Sequence, residues 1–184
     1  MPTDIDKIVE GFPHPTIVPI HGLPTFETIA ELNLQLNANA ASVQSNLGDG
    51  QLGLLFLTVT PEEYNLLSNT VFVPPPNPGN APVLPGGATG PQISAIIRQH
   101  TNDTHVFREY LATDKALKQQ VIGAIQPMYL RTLSHRTTGF ANVSTRQMLT
   151  HLYTQYGRLS PADLQENDAK MRAIRPQPAH RVLH

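Results

Sequence analysis

Val143-Ser144-Thr145-Arg146-Gln147-Met148-Leu149-Thr150-His151-Leu152-Tyr153-Thr154-Gln155-Tyr156-Gly157 carries a start signal, an apolar stripe and a stop signal for one helix. Ser144 and Gln147 have the spacing of a capping box, in which the serine hydroxyl and the glutamine amide each satisfy an end N–H of the helix. Val143 and Met148 stand where a hydrophobic staple would fix the entry of the chain. Met148, Leu149, Leu152, Tyr153 and Tyr156 then fall on one helical stripe, and Gly157 suits the position just past the end. The signals repeat at once: Ser160 as cap, Pro161 at the first helical position, Asp163 at the third, and Leu159 stapling Leu164. Two helices joined by so short a turn form an antiparallel or angled pair, and an all-α fold is predicted.

Upstream, Pro91 opens a helix that places Ile93, Ile96, Ile97, His100, Thr104, Phe107 and Leu111 on or beside one face. A second start is predicted at Thr113-Asp114, with Leu117, Val121, Ile122 and Ile125 inward and a break at Pro127 before Met128 to Leu133. From Pro74 to Pro91 seven of eighteen residues are proline and four are glycine, which excludes a helix and predicts a loop or linker. Thr60-Pro61-Glu62-Glu63 starts a short helix ending near residue 68, since Thr60 and Glu63 can cap each other. The apolar run Leu52 to Val59 fits a buried strand or a buried helical turn, the latter being preferred. Phe26, Ile29, Leu36, Ala40, Val43 and Leu47 form a narrow helical seam interrupted by polar Asn33, with Gly48-Asp49-Gly50 as its end. Five prolines before residue 25 predict an extended, disordered arm. The expected division is therefore an arm (1–24), a helical segment (25–70), a Pro/Gly-rich loop (71–91), a second helical segment (92–173) and a disordered tail (174–184).

Composition narrows the function classes. The chain has no cysteine, which excludes disulfides, thiolate catalysis and cysteine-bound metal. The first twenty-five residues lack the basic start and apolar run of a signal peptide, and no apolar stretch approaches the ~18 residues of a membrane helix. A cytoplasmic protein without membrane contact is expected. Charge is divided: residues 1–97 hold one cation and eight acids, residues 98–184 twelve cations and six acids. Such a dipolar chain can attract copies of itself, or offer one basic surface to nucleic acid.

The block His135-Arg136-Thr137-Thr138-Gly139-Phe140-Ala141-Asn142-Val143-Ser144-Thr145, followed by Met148-Leu149-Thr150-His151-Leu152-Tyr153, Tyr156-Gly157 and Ser160-Pro161-Ala162-Asp163-Leu164, resembles the Gag-like capsid region of Copia-type LTR retrotransposons. Asn37-Ala38-Asn39-Ala40-Ala41-Ser42-Val43, Ser45-Asn46-Leu47-Gly48, Thr60 to Tyr64, Phe72-Val73-Pro74-Pro75 and Asp114-Lys115-Ala116-Leu117 resemble its upstream parts, so the likeness runs over roughly residues 25–173. It implies a small helical bundle of capsid N-terminal type, a structural protein that assembles with itself around RNA and has no active site. Members of that family continue beyond the position of Met171-Arg172 with a Pro-Trp-Pro stretch and further helices. Here Ile174-Arg175-Pro176-Gln177-Pro178 follows instead, which implies a truncated form without the second capsid lobe or zinc knuckle.

Candidate sites follow from these readings. Phe26, Ile29, Leu36 and Val43 are the candidate self-association seam. Arg131, Arg136, Arg146, Arg158, Lys170, Arg172 and Arg175 are the candidate nucleic-acid contacts, with weak and salt-dependent RNA binding expected in the absence of a knuckle. A small RNA-binding module acting through this basic half is the alternative function. No catalytic, metal or cofactor residues are assigned, and no small-molecule substrate is expected. His100 and His105 are five apart, off the i, i+4 spacing of a helical metal pair. His135 and His151 read as satisfied structural residues, and Tyr153 and Tyr156 as core. No serine sits in a Gly-x-Ser-x-Gly elbow, and Gly86-Gly87-Ala88-Thr89-Gly90 lacks the Lys-Ser/Thr ending of a phosphate loop.

Overall fold

A computed structural model of the chain describes residues 5–158 and 161–174. The described residues hold six α-helices: α1 (Ile5–Glu10), α2 (Phe26–Ser42), α3 (Pro61–Leu67), α4 (Gly90–Ala124), α5 (Thr145–Tyr156) and α6 (Pro161–Ile174). Short 3-10 turns lie at Leu55–Leu57, Pro127–Tyr129 and Arg131–Leu133. The all-α class is observed, and there is no strand among the described residues. None of their helices is long and apolar enough to cross a membrane.

The core forms where α2, α5 and the last third of α4 meet, because each brings an apolar stripe to the same place. Ile29, Leu32, Leu36 and Ala40 of α2, Ala116, Leu117 and Val121 of α4, and Met148, Leu149 and Leu152 of α5 are all buried. The local signals operate as read. Ser144 Oγ accepts from Gln147 N at 3.2 Å while Gln147 Oε1 accepts from Ser144 N at 2.8 Å. Thr60 and Glu63 exchange the same two bonds at 3.2 and 2.8 Å. The Ser160 cap and the Leu159 staple lie outside the described residues.

Three elements differ from expectation, each for a local reason. Helix α2 ends at Ser42, not at Gly48, because the returning backbone takes its last carbonyls: Leu54 N donates to Ala40 O at 3.0 Å. That approach is close enough that only Gly53 fits. A Cβ there would collide with the Ala41 and Val43 carbonyl oxygens, and its φ of +54° lies in the left-handed region. The run 53–59 that follows is buried throughout, and only Leu55–Leu57 is helical, as a 3-10 turn.

The break expected at Thr113-Asp114 is absent, and α4 runs unbroken for 35 residues. No Gly or Pro interrupts it there, and Thr113 satisfies its own hydroxyl by donating back to Glu109 O at 2.8 Å. Asp114 caps a different helix: its Oδ1 accepts from Thr145 N at 3.1 Å, at the start of α5.

Residues 5–24 are not a disordered arm: Ile5–Glu10 form α1 against α4, and Phe12, Ile17 and Ile20 are buried in the core. Prolines do keep 11–24 out of a helix, but a backbone denied its own ladder must find other partners when buried. Three amide side chains provide them. Asn39 Oδ1 accepts from His14 N and Asn39 Nδ2 donates to His14 O, both at 2.8 Å. Gln120 Nε2 donates to His14 O and Pro15 O, and Gln35 Oε1 accepts from Val18 N at 3.2 Å. Ile20 N completes the seam by donating to Ala124 O at 2.7 Å.

Candidate functional site

The predicted self-association seam is taken up by the fold itself. Ile29 and Leu36 are fully buried between α2 and its neighbours, and Val43 is half-buried against the core. Phe26 is 41% exposed but spends its inner edge on Tyr153, ring centroids 5.9 Å apart. Ile29 and Leu36 therefore belong to the core seam and Val43 to its edge, while Phe26 remains exposed beside Tyr153. Asn33, the polar interruption, lies beside Tyr153, with its Nδ2 donating to the Tyr153 hydroxyl at 3.4 Å.

The candidate nucleic-acid residues do not gather into one site. Arg146 is structural: its guanidinium lies 4.7 Å over the Phe56 ring and donates to Val59 O at 3.4 Å. The ring face and the carbonyl together fix the position of this cation in the fold. On α6, Lys170 pairs with Glu166 at 2.8 Å and Arg172 with Asp168 at 3.1 Å, each one turn away. The hydrogen bond to Glu166 holds the Lys170 ammonium above its ordinary range. Arg131, Arg136 and Arg158 are exposed, and none of them is in an ion pair among the described residues. Arg175 lies outside those residues.

The histidines and tyrosines of the C-terminal half have structural partners. His135 Nδ1 accepts from Thr137 N and Thr138 N, closing the turn in which His135 and Gly139 exchange backbone bonds at 2.9 Å. His151 Nε2 is 3.0 Å from Tyr129 O, and Tyr156 meets Tyr129 edge-on at 5.2 Å. His105 stands 3.5 Å from Glu109 on the same helix. No cluster of three or more metal-binding side chains occurs among the described residues.

The aromatic group Phe56, Tyr64 and Phe72 anchors the proline-rich segment to the core, with Phe56 and Phe72 stacked at 4.5 Å. From Phe72 the chain crosses α4 and leaves a cleft of about 840 Å³, lined by Pro74, Pro75, Pro78, Val106, Glu109 and Tyr110 among others. Burial, and then the Asp114 carboxylate, push the Tyr110 phenol above its ordinary pKa, with Arg146 opposing. The prolines offer the cleft no N–H, so its donors come from the loop after α2 and from α4.

No family model, curated protein or solved structure matches the chain.

What the fold leaves open is the first two thirds of α4. No residue from Gly90 to Ala112 is buried, although the stretch contains Ile93, Ile96, Ile97, Phe107 and Leu111. Ile97 and Leu111 are 48% and 49% exposed, and none of the five packs against the core cluster. The sequence places these residues on one face but does not tell whether the face is core or interface. The distinguishing signal is the proline-rich segment before α4, which borders the opposite side of the helix and leaves Ile97 and Leu111 exposed on this one.

Proposed function

We propose that this protein is a structural, self-associating component of the Gag-like capsid kind, a helical body with no catalytic role and with weak RNA binding at most. The observation that carries the reading is the bare apolar face of α4 beside polar side chains already committed to holding the fold. Apolar side chains left exposed along one helix face find their use in contact with another macromolecule. The residues on which the family resemblance rests are structural in the same sense. His135 to Gly139 make a closed turn, Ser144 and Gln147 cap α5, Asn39 fastens the N-terminal segment and Asp114 joins α4 to α5.

Light scattering coupled to size exclusion, over a concentration series with and without single-stranded RNA, tests this reading. Growth of the scattering mass with concentration and RNA is expected, and a monomer under every condition would overturn it. The second reading, an RNA-binding module, draws on the exposed Arg131, Arg136 and Arg158. It predicts that Arg131→Gln and Arg136→Gln together weaken RNA retention and lower its salt slope by about one per arginine removed. Arg146 is left intact in that test, since its loss would disturb the Phe56 contact.

A further inference from the structure

Along the open part of α4, Ile93, Ile97, His100, Thr104, Phe107 and Leu111 are separated by four, three, four, three and four residues. That is a strict heptad seam with a period of 3.5, the spacing by which one helix keeps a single stripe turned to another helix over its length. The seam covers about 28 Å of helix at 1.5 Å per residue. Beyond Leu111 the chain binds α4 itself, where Asp114 meets Thr145 N and Lys118 Nζ donates to Phe140 O at 2.9 Å. The cleft under the proline-rich segment is lined on α4 by Asn102, Asp103, Val106 and Glu109; Asn102, Val106 and Glu109 lie about half a turn around the helix from the seam, and Asp103 stands between cleft and seam.

We infer that this seam is the docking surface for a second copy of the same chain, with the two α4 helices side by side and parallel. Charge selects the occupant and its direction. With Ile97, Thr104 and Leu111 as one core row and Ile93, His100 and Phe107 as the other, Asp103 and Arg108 fall on the two flanks of the seam. Their separation of five residues is the one that joins flanking side chains across a parallel pair. A parallel dimer therefore makes two Asp103–Arg108 ion pairs related by its two-fold axis, whereas an antiparallel pair centred on the seam brings the two Asp103 carboxylates together. Asp103 is held only by an exposed neutral bond, Gln99 Nε2 donating at 2.8 Å, which such an ion pair can replace. Polar His100 and Thr104 within the seam weaken the association and fix its register.

This inference rests on the self-association part of the reading above. Sedimentation equilibrium of the full chain measures it. The chain is expected to dimerise with rising concentration. Ile97→Lys, at an exposed position where circular dichroism should be unchanged, should raise the dimer dissociation constant about tenfold or more. Asp103→Arg alone should weaken the dimer by roughly tenfold, and adding Arg108→Asp should restore it. Because the chain has no cysteine, Ile93→Cys and Leu111→Cys report direction cleanly. Under mild oxidation each should link to its own copy. A dimer indifferent to Ile97→Lys, a link formed only between Ile93→Cys and Leu111→Cys chains, or a monomer at all concentrations would overturn the proposal. Larger RNA-dependent particles that persist in Ile97→Lys would overturn it too but leave the capsid-like reading standing. A dimer abolished by Ile97→Lys, without any larger particle in the parent chain, supports the inference while removing the capsid-like reading.

Discussion

The two parts of α4 are one continuous helix with the same kind of apolar spacing and opposite fates. From Thr113 to Ala124 the stripe Ala116, Leu117 and Val121 is completely enclosed, with the N-terminal segment, α2 and α5 closing over it. From Gly90 to Ala112 no residue is fully buried, and the proline-rich segment and the loop after α2 border a cleft on the side of the helix away from Ile97 and Leu111. An amphipathic pattern thus reports that a face needs a partner, and the surrounding chain decides whether the partner is internal.

Paired truncations separate the two parts of α4 most sharply. Leu117→Ala, at a fully buried position, should lose about 3 kcal/mol in urea denaturation, through lost transfer energy and the cavity left behind. Leu111→Ala, earlier on the same helix, should change monomer stability by less than about 0.5 kcal/mol. Equal losses at both sites would mean that the open stretch is packed against something within the chain. Next in size is Asn39→Ala, which strips the His14 backbone of two half-buried bonds to a fully buried side chain and should cost about 2 kcal/mol. Hydrogen exchange at the His14 and Val18 amides should accelerate together in that variant while the Gly90–Ala112 amides do not respond. Ser144→Ala removes one half of the α5 capping box and should cost about 1 kcal/mol, read as a lowered denaturation midpoint. The smallest effect is on pH. Tyr110 has a raised pKa when folded, so its contribution is fully present below the ordinary phenol value of 10.0 and is lost as pH rises through the folded value. Tyr110→Phe should flatten that alkaline loss.

The sequence is most legible where a signal is local. The capping boxes at Thr60 and Ser144, the loop from Pro74 and the breakdown of helix at Pro127 require only neighbours within a few residues, and all are found where the residues place them. Interactions over long sequence distances are less legible. Helix α2 is expected to run on to Gly48 because nothing nearby reveals that Leu54 will claim the Ala40 carbonyl. The first 24 residues look unable to pack because their prolines are visible and the receiving amides are not. The available sign was the placement of Gln35 and Asn39, four residues apart and polar, on the apolar side of α2. The candidate interfaces show the same limit. Ile29 and Leu36 match the pattern as well as Ile93 and Ile97 do, and only the third dimension separates core from surface.

The N-terminal segment finally sets a timetable for synthesis. His14 is bound by Gln120, 106 residues further along the chain, and Ile20 by Ala124 at the very end of α4. At about 5–20 residues per second, residues 5–20 leave the ribosome roughly 5–20 s before the helix that will hold them exists. During that interval Phe12, Ile17 and Ile20 have no native partner on α4, and the prolines around them serve a second purpose: they keep the waiting segment from pairing as a strand with its neighbours.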